Sequence, residues 1–242
     1  MNMGVYLFLL LFALMFSGMP IALGVGMAAI LTTGIWGQIG LELIFQQYYQ
    51  GVNSFALLAV PLFMLAGELM TRLGLVDDII LLAKLLVGRM RGSLAQINIV
   101  ASVFFATMSG SAVADTAAIG GMLLPAMEKE GYDKEFSVAV TAASSIIGPI
   151  IPPSITMIVY GSLMSNVPTG AMFAAGIVPG VLIGLGEMAL VYYFSRKRNY
   201  PRETKRYTAK EASAIAVRTL PAVLTPVVIV VAIFSGFCSA TE

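Results

Sequence analysis

The chain has 242 residues, of which 58% are hydrophobic and 11% charged, with a net charge of +1 and a mean hydropathy of +0.90. A soluble domain carries about 25% charged residues, so this composition excludes a soluble single domain and a disordered chain, and the near-neutral balance excludes a polycation for nucleic acid. With no histidine and a single cysteine, Cys238, the chain cannot support Ser-His-Asp or Cys-His catalysis, His-ligated zinc, a thiolate cluster or an internal disulfide.

Apolar runs of about 20 residues recur, as in a polytopic helical membrane protein. No basic residue precedes the apolar residues 3–16, and the run continues to Trp36 without a small-residue cleavage site. Residues 4–34 therefore read as a first span rather than a signal peptide, with a bend predicted at Gly18 and Pro20. Residues 38–53, with Gln46, Gln47, Tyr48, Tyr49 and Gln50, read as an interfacial connection. A second span covers 54–70, interrupted by Pro61, with Glu68 near its end and four residues before Arg72. That spacing predicts an interfacial ion pair. Residues 76–90 carry Asp77, Asp78, Lys84 and Arg89 among leucines and isoleucines. They predict an amphipathic helix lying at the interface.

Residues 93–108 and 116–127 are two short apolar arms around Ser109-Gly110-Ser111-Ala112-Val113-Ala114-Asp115. At 1.5 Å per residue neither arm crosses a hydrocarbon core of about 30 Å. Both outer ends are charged: Arg89 and Arg91 before, Glu128, Lys129, Glu130, Asp133 and Lys134 after. A re-entrant hairpin over 93–127 is the expectation, with its tip buried in protein or lining a wet cavity. The span 136–165 is broken by Gly148-Pro149-Ile150-Ile151-Pro152-Pro153-Ser154, because proline lacks the N–H and clashes with the preceding turn. A further span covers 171–194, with Pro179 and Glu187. The basic cluster of Arg196, Lys197, Arg198, Arg202, Lys205, Arg206 and Lys210 follows, then a last span over 219–237. Lys and Arg favour the cytoplasmic side, so 196–210 is expected inside. Counting back, the hairpin opens to the cytoplasm and the N-terminus is cytoplasmic.

Unwound backbone frees carbonyl oxygens that replace the hydration shell of Na⁺, and half-helix N-termini turn partial positive charge toward an anion. Ser109 and Ser111 add hydroxyl oxygens. Alone, the Ser-Gly-Ser tip reads first as a tight helix–helix contact, and the Gly-Pro segment as a kink; together they point to an ion and anion site. Asp115 has two open readings, an ionisable functional residue and a cap for the second arm. Glu187 is expected to be a buried, hydrogen-bonded acid. Asp115 and Glu68, about 47 positions apart with no catalytic partner, make a poor enzyme site. No phosphate-binding Walker pattern supports an ATP-driven pump.

Three ordered motifs carry a resemblance: Val60-Pro61-Leu62-Phe63-Met64-Leu65-Ala66-Gly67-Glu68, Ser109 through Thr116, and Gly148 through Ser154. The chain resembles the large membrane subunit of a tripartite ATP-independent periplasmic (TRAP) transporter, from its first span to Thr241-Glu242. The resemblance implies a bacterial inner-membrane, elevator-type secondary transporter, a Na⁺ symporter and not an enzyme. It would import organic acids such as dicarboxylates, delivered by a periplasmic substrate-binding protein, with a small membrane subunit as partner and no cofactor beyond the coupling ion. The implied fold is all-α, half of an inverted repeat. Residues 1–92 would be scaffold-type spans and an interfacial helix, 93–170 the transport-type region, and 171–242 further spans. Carried over, Na⁺ would sit at Ser109, Gly110, Ser111, Gly148 and Pro149. Ser111, Asp115, Thr116, Pro152 and Ser154 would lie near the substrate. The family's subunit is nearly twice as long, so the chain is expected to be an N-terminal half. A non-transporting fragment or structural partner, or another ion-coupled anion carrier of similar fold, is the alternative.

Overall fold

A computed structural model of the chain describes residues 3–36, 40–53, 55–163, 167–203 and 207–238. The expectations at Gln38, Ser54, Ser165, Lys205, Arg206, Thr241 and Glu242 lie outside the described residues. Those residues form α-helices and one short 3-10 turn, with no strand among them. They fall into two compact units, Met1–Ser54 and Phe55–Glu242.

The first unit holds α1 (Met3–Phe16), α2 (Ile21–Trp36) and α3 (Leu41–Val52). The expected first span is broken where a bend was predicted, but the chain folds back rather than bending. Gly18 adopts φ +83°, a left-handed conformation that closes a helix C-terminus. Pro20 then has no N–H to continue the ladder. A Cβ on Gly24 would lie 3.9 Å from Met15 Cγ and 4.0 Å from Leu14 Cβ, so α2 returns along α1. The arms are about 21 and 24 Å long. Tyr48 of α3 reaches α2, its hydroxyl 2.9 Å from where a Gly26 Cβ would stand.

The second unit begins with a 3-10 turn (Phe55–Leu58) and α4 (Ala59–Arg72), followed by α5 (Leu75–Val87), α6 (Ser93–Ser109), α7 (Ala112–Lys129), α8 (Lys134–Ser145) and α9 (Ile155–Leu163). Two long helices, α10 (Thr169–Lys197) and α11 (Ala209–Phe234), complete it, each long and apolar enough to cross a membrane. The α11 helix starts ten residues before the expected 219. Thr208 and Glu211 form a reciprocal capping box there, a local signal that outweighs the low apolarity of the first turns. Pro61 sits in the first turn of α4, where the missing N–H costs little.

At the centre lies α6, buried around its whole circumference by Leu94, Ile97, Ile99, Ala101 and Phe105 among others. It touches α4, α5, α7, α8, α10 and α11. The amphipathic helix α5 is present, but its apolar face (Val76, Ile79, Ile80, Ala83 and Val87) is covered by protein, chiefly α6 and α11. Asp78 pairs with Arg218 of α11 at 2.8 Å. Glu68 and Arg72 form the expected exposed pair at 2.8 Å, worth under about 1 kcal/mol.

The end of α10 and the loop after it strap the base of the α6–α7 hairpin. Gly92 N–H donates to Pro201 O at 3.0 Å and Glu203 N–H to Gly88 O at 3.1 Å. Gly92 has φ +71°, and a Cβ there would overlap Ser195 Oγ. On the other arm, Tyr200 stacks on Tyr132 with ring centroids 4.4 Å apart. Tyr200 Oη donates to Asp133 Oδ2 at 2.7 Å, and Arg198 pairs with the same carboxylate. Those two neighbours hold the Asp133 carboxyl below its usual range. Burial pushes the Tyr132 phenol up to about 12.

A candidate ion and anion site at the hairpin tip

The predicted hairpin is a real helical pair: α6 and α7 pack against each other and are joined through Gly110 and Ser111. The predicted break is equally present, with residues 146–154 non-helical between α8 and α9. These two irregular segments, about 40 residues apart in sequence, are in direct backbone contact. Gly110 has φ +59°, and a Cβ there would lie 2.8 Å from Pro153 O, 2.9 Å from Ile155 N and 3.1 Å from Ser154 Cα. A Cβ on Gly148 would lie 3.2 Å from Ser111 C and 3.3 Å from Ala112 N. Glycine at both positions is therefore what lets tip and break approach.

Four helix ends converge here: the C-termini of α6 (Ser109) and α8 (Ser145), and the N-termini of α7 (Ala112) and α9 (Ile155). The C-terminal ends carry partial negative charge and suit a cation; the N-terminal ends carry partial positive charge and suit an anion. Ser111 caps α7, its Oγ accepting from Ala114 N–H at 3.4 Å. Ser154 holds the break in shape, its Oγ donating to Pro149 O at 2.6 Å and accepting from Met157 N–H at 3.3 Å. Ser109 Oγ lies 3.4 Å from Ser111 N.

The break is seated on α10 by a ladder of three buried glycines, Gly176, Gly180 and Gly184. Side chains there would overlap Ile150 O at Gly176 and Ile151 Cγ1 at Gly180, and at Gly184 would come within 3.3 Å of Val103 Cγ2. Spacing by four puts the three on one helix face, the small-residue pattern that admits close backbone packing. This i, i+4, i+8 glycine period is the sequence signal that would have assigned α10 as the carrier of the break.

A cavity of about 860 Å³ opens beside the tip. Val60, Phe63, Gly67, Glu68 and Thr71 of α4 form one wall, and Phe105, Ser109, Ser111, Ala114 and Ala118 of the hairpin form the other. Gly67 packs closely, its Cβ position 3.5 Å from Ser109 Cα. The Val60–Glu68 motif thus lines the wall facing the tip, a role its sequence alone did not state.

The other expected site residues divide. Ser109, Gly110, Ser111, Gly148, Pro149 and Ser154 cluster at the junction of tip and break, although fully buried Ser154 does not line the cavity. Pro152 lines a separate apolar groove with Val103, Phe104, Pro226 and Val227. Thr116 is exposed and its hydroxyl donates to Ala112 O at 2.8 Å. Asp115 is fully buried and does not line the cavity. Nor is it the cap of α7, because Ser111 fills that role and the Asp115 carboxylate has no hydrogen-bond partner among the described residues. Glu187 also departs from expectation. It lines a groove with Phe136, Val140 and Phe194, and its Oε2 has no hydrogen-bond partner among the described residues.

Comparison with known proteins gives this geometry its family. The chain is 38% identical over 229 residues to the sialic acid TRAP transporter large permease protein SiaM of Vibrio cholerae, covering 95% of this chain and 53% of that protein. It is 37% identical over 237 residues to the C4-dicarboxylate TRAP transporter large permease protein DctM of the same organism, covering 98% and 52%. It is 37% identical over 225 residues to the isethionate TRAP transporter permease protein DctMQ of Oleidesulfovibrio alaskensis, covering 93% and 35%. The chain therefore spans about half or less of the length of these curated relatives, which are transporter permeases and not enzymes. The family profile described as "Tripartite ATP-independent periplasmic transporter, DctM component" matches residues 8–242, and the chain belongs to that family.

Proposed function

We propose that the chain forms part of the permease subunit of a secondary transporter for small organic anions, in the bacterial inner membrane. The observation that carries this reading is the convergence of four helix ends, two of each sign, at the Gly110 tip and the 146–154 break beside the 860 Å³ cavity. Relatives named for sialic acid, C4-dicarboxylates and isethionate share small organic anions as their named substrates. We read the substrate here as of that class. Na⁺ is the proposed coupling ion, held by oxygens of Ser109, Gly110, Ser111, Gly148 and Pro149. A periplasmic binding protein would deliver the substrate and a small membrane subunit would complete the assembly. An elevator-type movement would carry the hairpin and the broken span as one body, in keeping with their backbone contact.

With the basic loop inside, the α6–α7 hairpin is re-entrant from the cytoplasm. A single first span would make the N-terminus cytoplasmic. The fold-back of α2 on α1 instead returns the chain to the side from which it set out, so we carry a periplasmic N-terminus.

The test is substrate-dependent ²²Na⁺ uptake in proteoliposomes by the complete permease, with binding protein and small subunit supplied. Uptake that needs substrate and falls at least tenfold in Gly110→Val is the expected result. Organic-anion uptake unaffected by removing Na⁺ would refute the coupling, and wild-type ²²Na⁺ uptake by Gly110→Val would refute the tip as the site.

A further inference from the structure

The α4 wall of the tip cavity carries a charge that an organic-anion site does not by itself explain. Among the described residues that line the cavity, Glu68 is the one acid, and no Lys or Arg lines it. A carboxylate in that wall repels an anionic ligand unless a cation stands beside it.

Arg72 is that cation. It is the last residue of α4, one turn beyond Glu68 and next to Thr71, which also lines the cavity. Its Nε donates to Glu68 Oε1 at 2.8 Å, so the guanidinium stands at the edge of the cavity. Among the described residues Glu68 is its one acceptor. A guanidinium carries five N–H donors in a planar fork, and the edge made by its two terminal nitrogens suits the oxygen pair of a carboxylate or a sulfonate. Glu68 engages Nε alone and leaves that edge open.

The backbone fixes where this pair stands. Gly67 packs against the tip, its Cβ position 3.5 Å from Ser109 Cα, and Thr71 Oγ donates to Gly67 O at 2.8 Å. Gly74 then turns the chain at φ +77°, which ends α4 two residues after Arg72. The Arg72 side chain is 77% exposed and that of Glu68 58%. An ion pair this open to solvent is weak, so an arriving anion can take the guanidinium from Glu68 at little cost.

We propose that Arg72 receives the carboxylate or sulfonate group of the permeating anion at the edge of the tip cavity, and that Glu68 holds it there through Nε and competes with the anion for its charge. This rests on the reading of the cavity as an organic-anion site. The helix N-termini of α7 and α9 offer an anion partial charge; Arg72 adds a full charge with a fixed fork.

The competing account is an ordinary surface pair, in which loss of either partner has the same effect. The proposal requires effects of opposite sign. Arg72→Gln removes the cation. Glu68→Gln keeps an oxygen to accept from Nε but removes the competing charge. The experiment is thermal melting of the complete permease assembly in Na⁺ buffer, titrated with sialic acid, succinate and isethionate, the midpoint of stabilisation giving the affinity. At least one of these anions is expected to stabilise the wild type. Arg72→Gln is expected to weaken that midpoint about tenfold or more, Arg72→Lys to weaken it less, and Glu68→Gln to tighten it. The unliganded melting point is expected to stay at the wild-type value in all three. Equal shifts of the same sign in Arg72→Gln and Glu68→Gln, or an unchanged midpoint in Arg72→Gln, would overturn the proposal. So would the absence of stabilisation by all three anions. Substrate-dependent ²²Na⁺ uptake tests the transporter reading separately: uptake that persists in Arg72→Gln with wild-type anion affinity sinks the Arg72 site alone, and stabilisation without uptake sinks the transporter reading alone.

Discussion

At Asp133 a single carboxylate joins the turn after α7 to the end of α10, through Tyr200 Oη at 2.7 Å and through Arg198. Tyr200 donates to it and Arg198 stands beside it, so its ionisation lies below the usual carboxylate range. A depressed carboxylate stabilises the folded state above the unfolded value of about 3.9 and loses that contribution as pH falls through the folded value. The strap is therefore expected to be indifferent to pH between 8 and 5 and to loosen below about 4. Hydrogen exchange at Gly92 and Glu203, whose amides bind Pro201 O and Gly88 O, reads this directly. Faster exchange at pH 3 than intrinsic rates account for is expected in the wild type, and no such pH step in Asp133→Asn. The same step in both proteins would remove Asp133 from the strap. Gly110 and Gly148 act at this scale too. Their sequence context showed a turn and a break, but only the contact between them explains why Gly110 has no room for a side chain and why Gly148 would be crowded by one.

Among the elements, α10 does two things that its apolar composition hides. Its glycine face seats the break, and its C-terminal end straps the hairpin base. Gly180→Leu would force a side chain into Ile151, and overpacking of a buried site typically costs about 1–3 kcal/mol. The expected result is a drop in thermal stability and at least a tenfold loss of coupled uptake, measured by melting and by ²²Na⁺ flux. Gly186, which has open space around it, is the control, and Gly186→Leu is expected to retain both. Equal loss in the two variants would mean that bulk on α10, and not the seat of the break, is what matters. The α5 face shows why an amphipathic period alone misassigned its surroundings: the pattern predicts an apolar partner but cannot distinguish lipid from α6 and α11.

For the molecule as a whole, the charge distribution sets orientation. Single-cysteine labelling in a Cys238→Ser background tests it at position 129 in the turn after α7, position 202 in the basic loop and an N-terminal residue. Positions 129 and 202 are expected to react only with membrane-permeant reagent, and the N-terminal position with impermeant reagent added from the periplasm. Labelling of 129 and 202 from the periplasm would invert the topology. An N-terminus reachable only from the cytoplasm would mean that α1 and α2 together cross the membrane.

The sequence by itself determined that this is an all-helical membrane chain of its family, where its hairpin lies, where its broken span breaks and which segments carry charge. Those features are local: apolar length, missing N–H groups and left-handed glycines act within a turn or two of their own position. The tertiary structure decided what those features meet. It brought Gly110 onto Pro153 and Ser154, set the break on the α10 glycines and folded α2 back along α1. It also buried the carboxylate of Asp115 among Ser102 and Ser145 instead of in the cavity. A helical residue one turn from the tip can face the cavity or the neighbouring helices. The choice depends on how α6, α7 and α8 pack, and it belongs to no single segment of sequence.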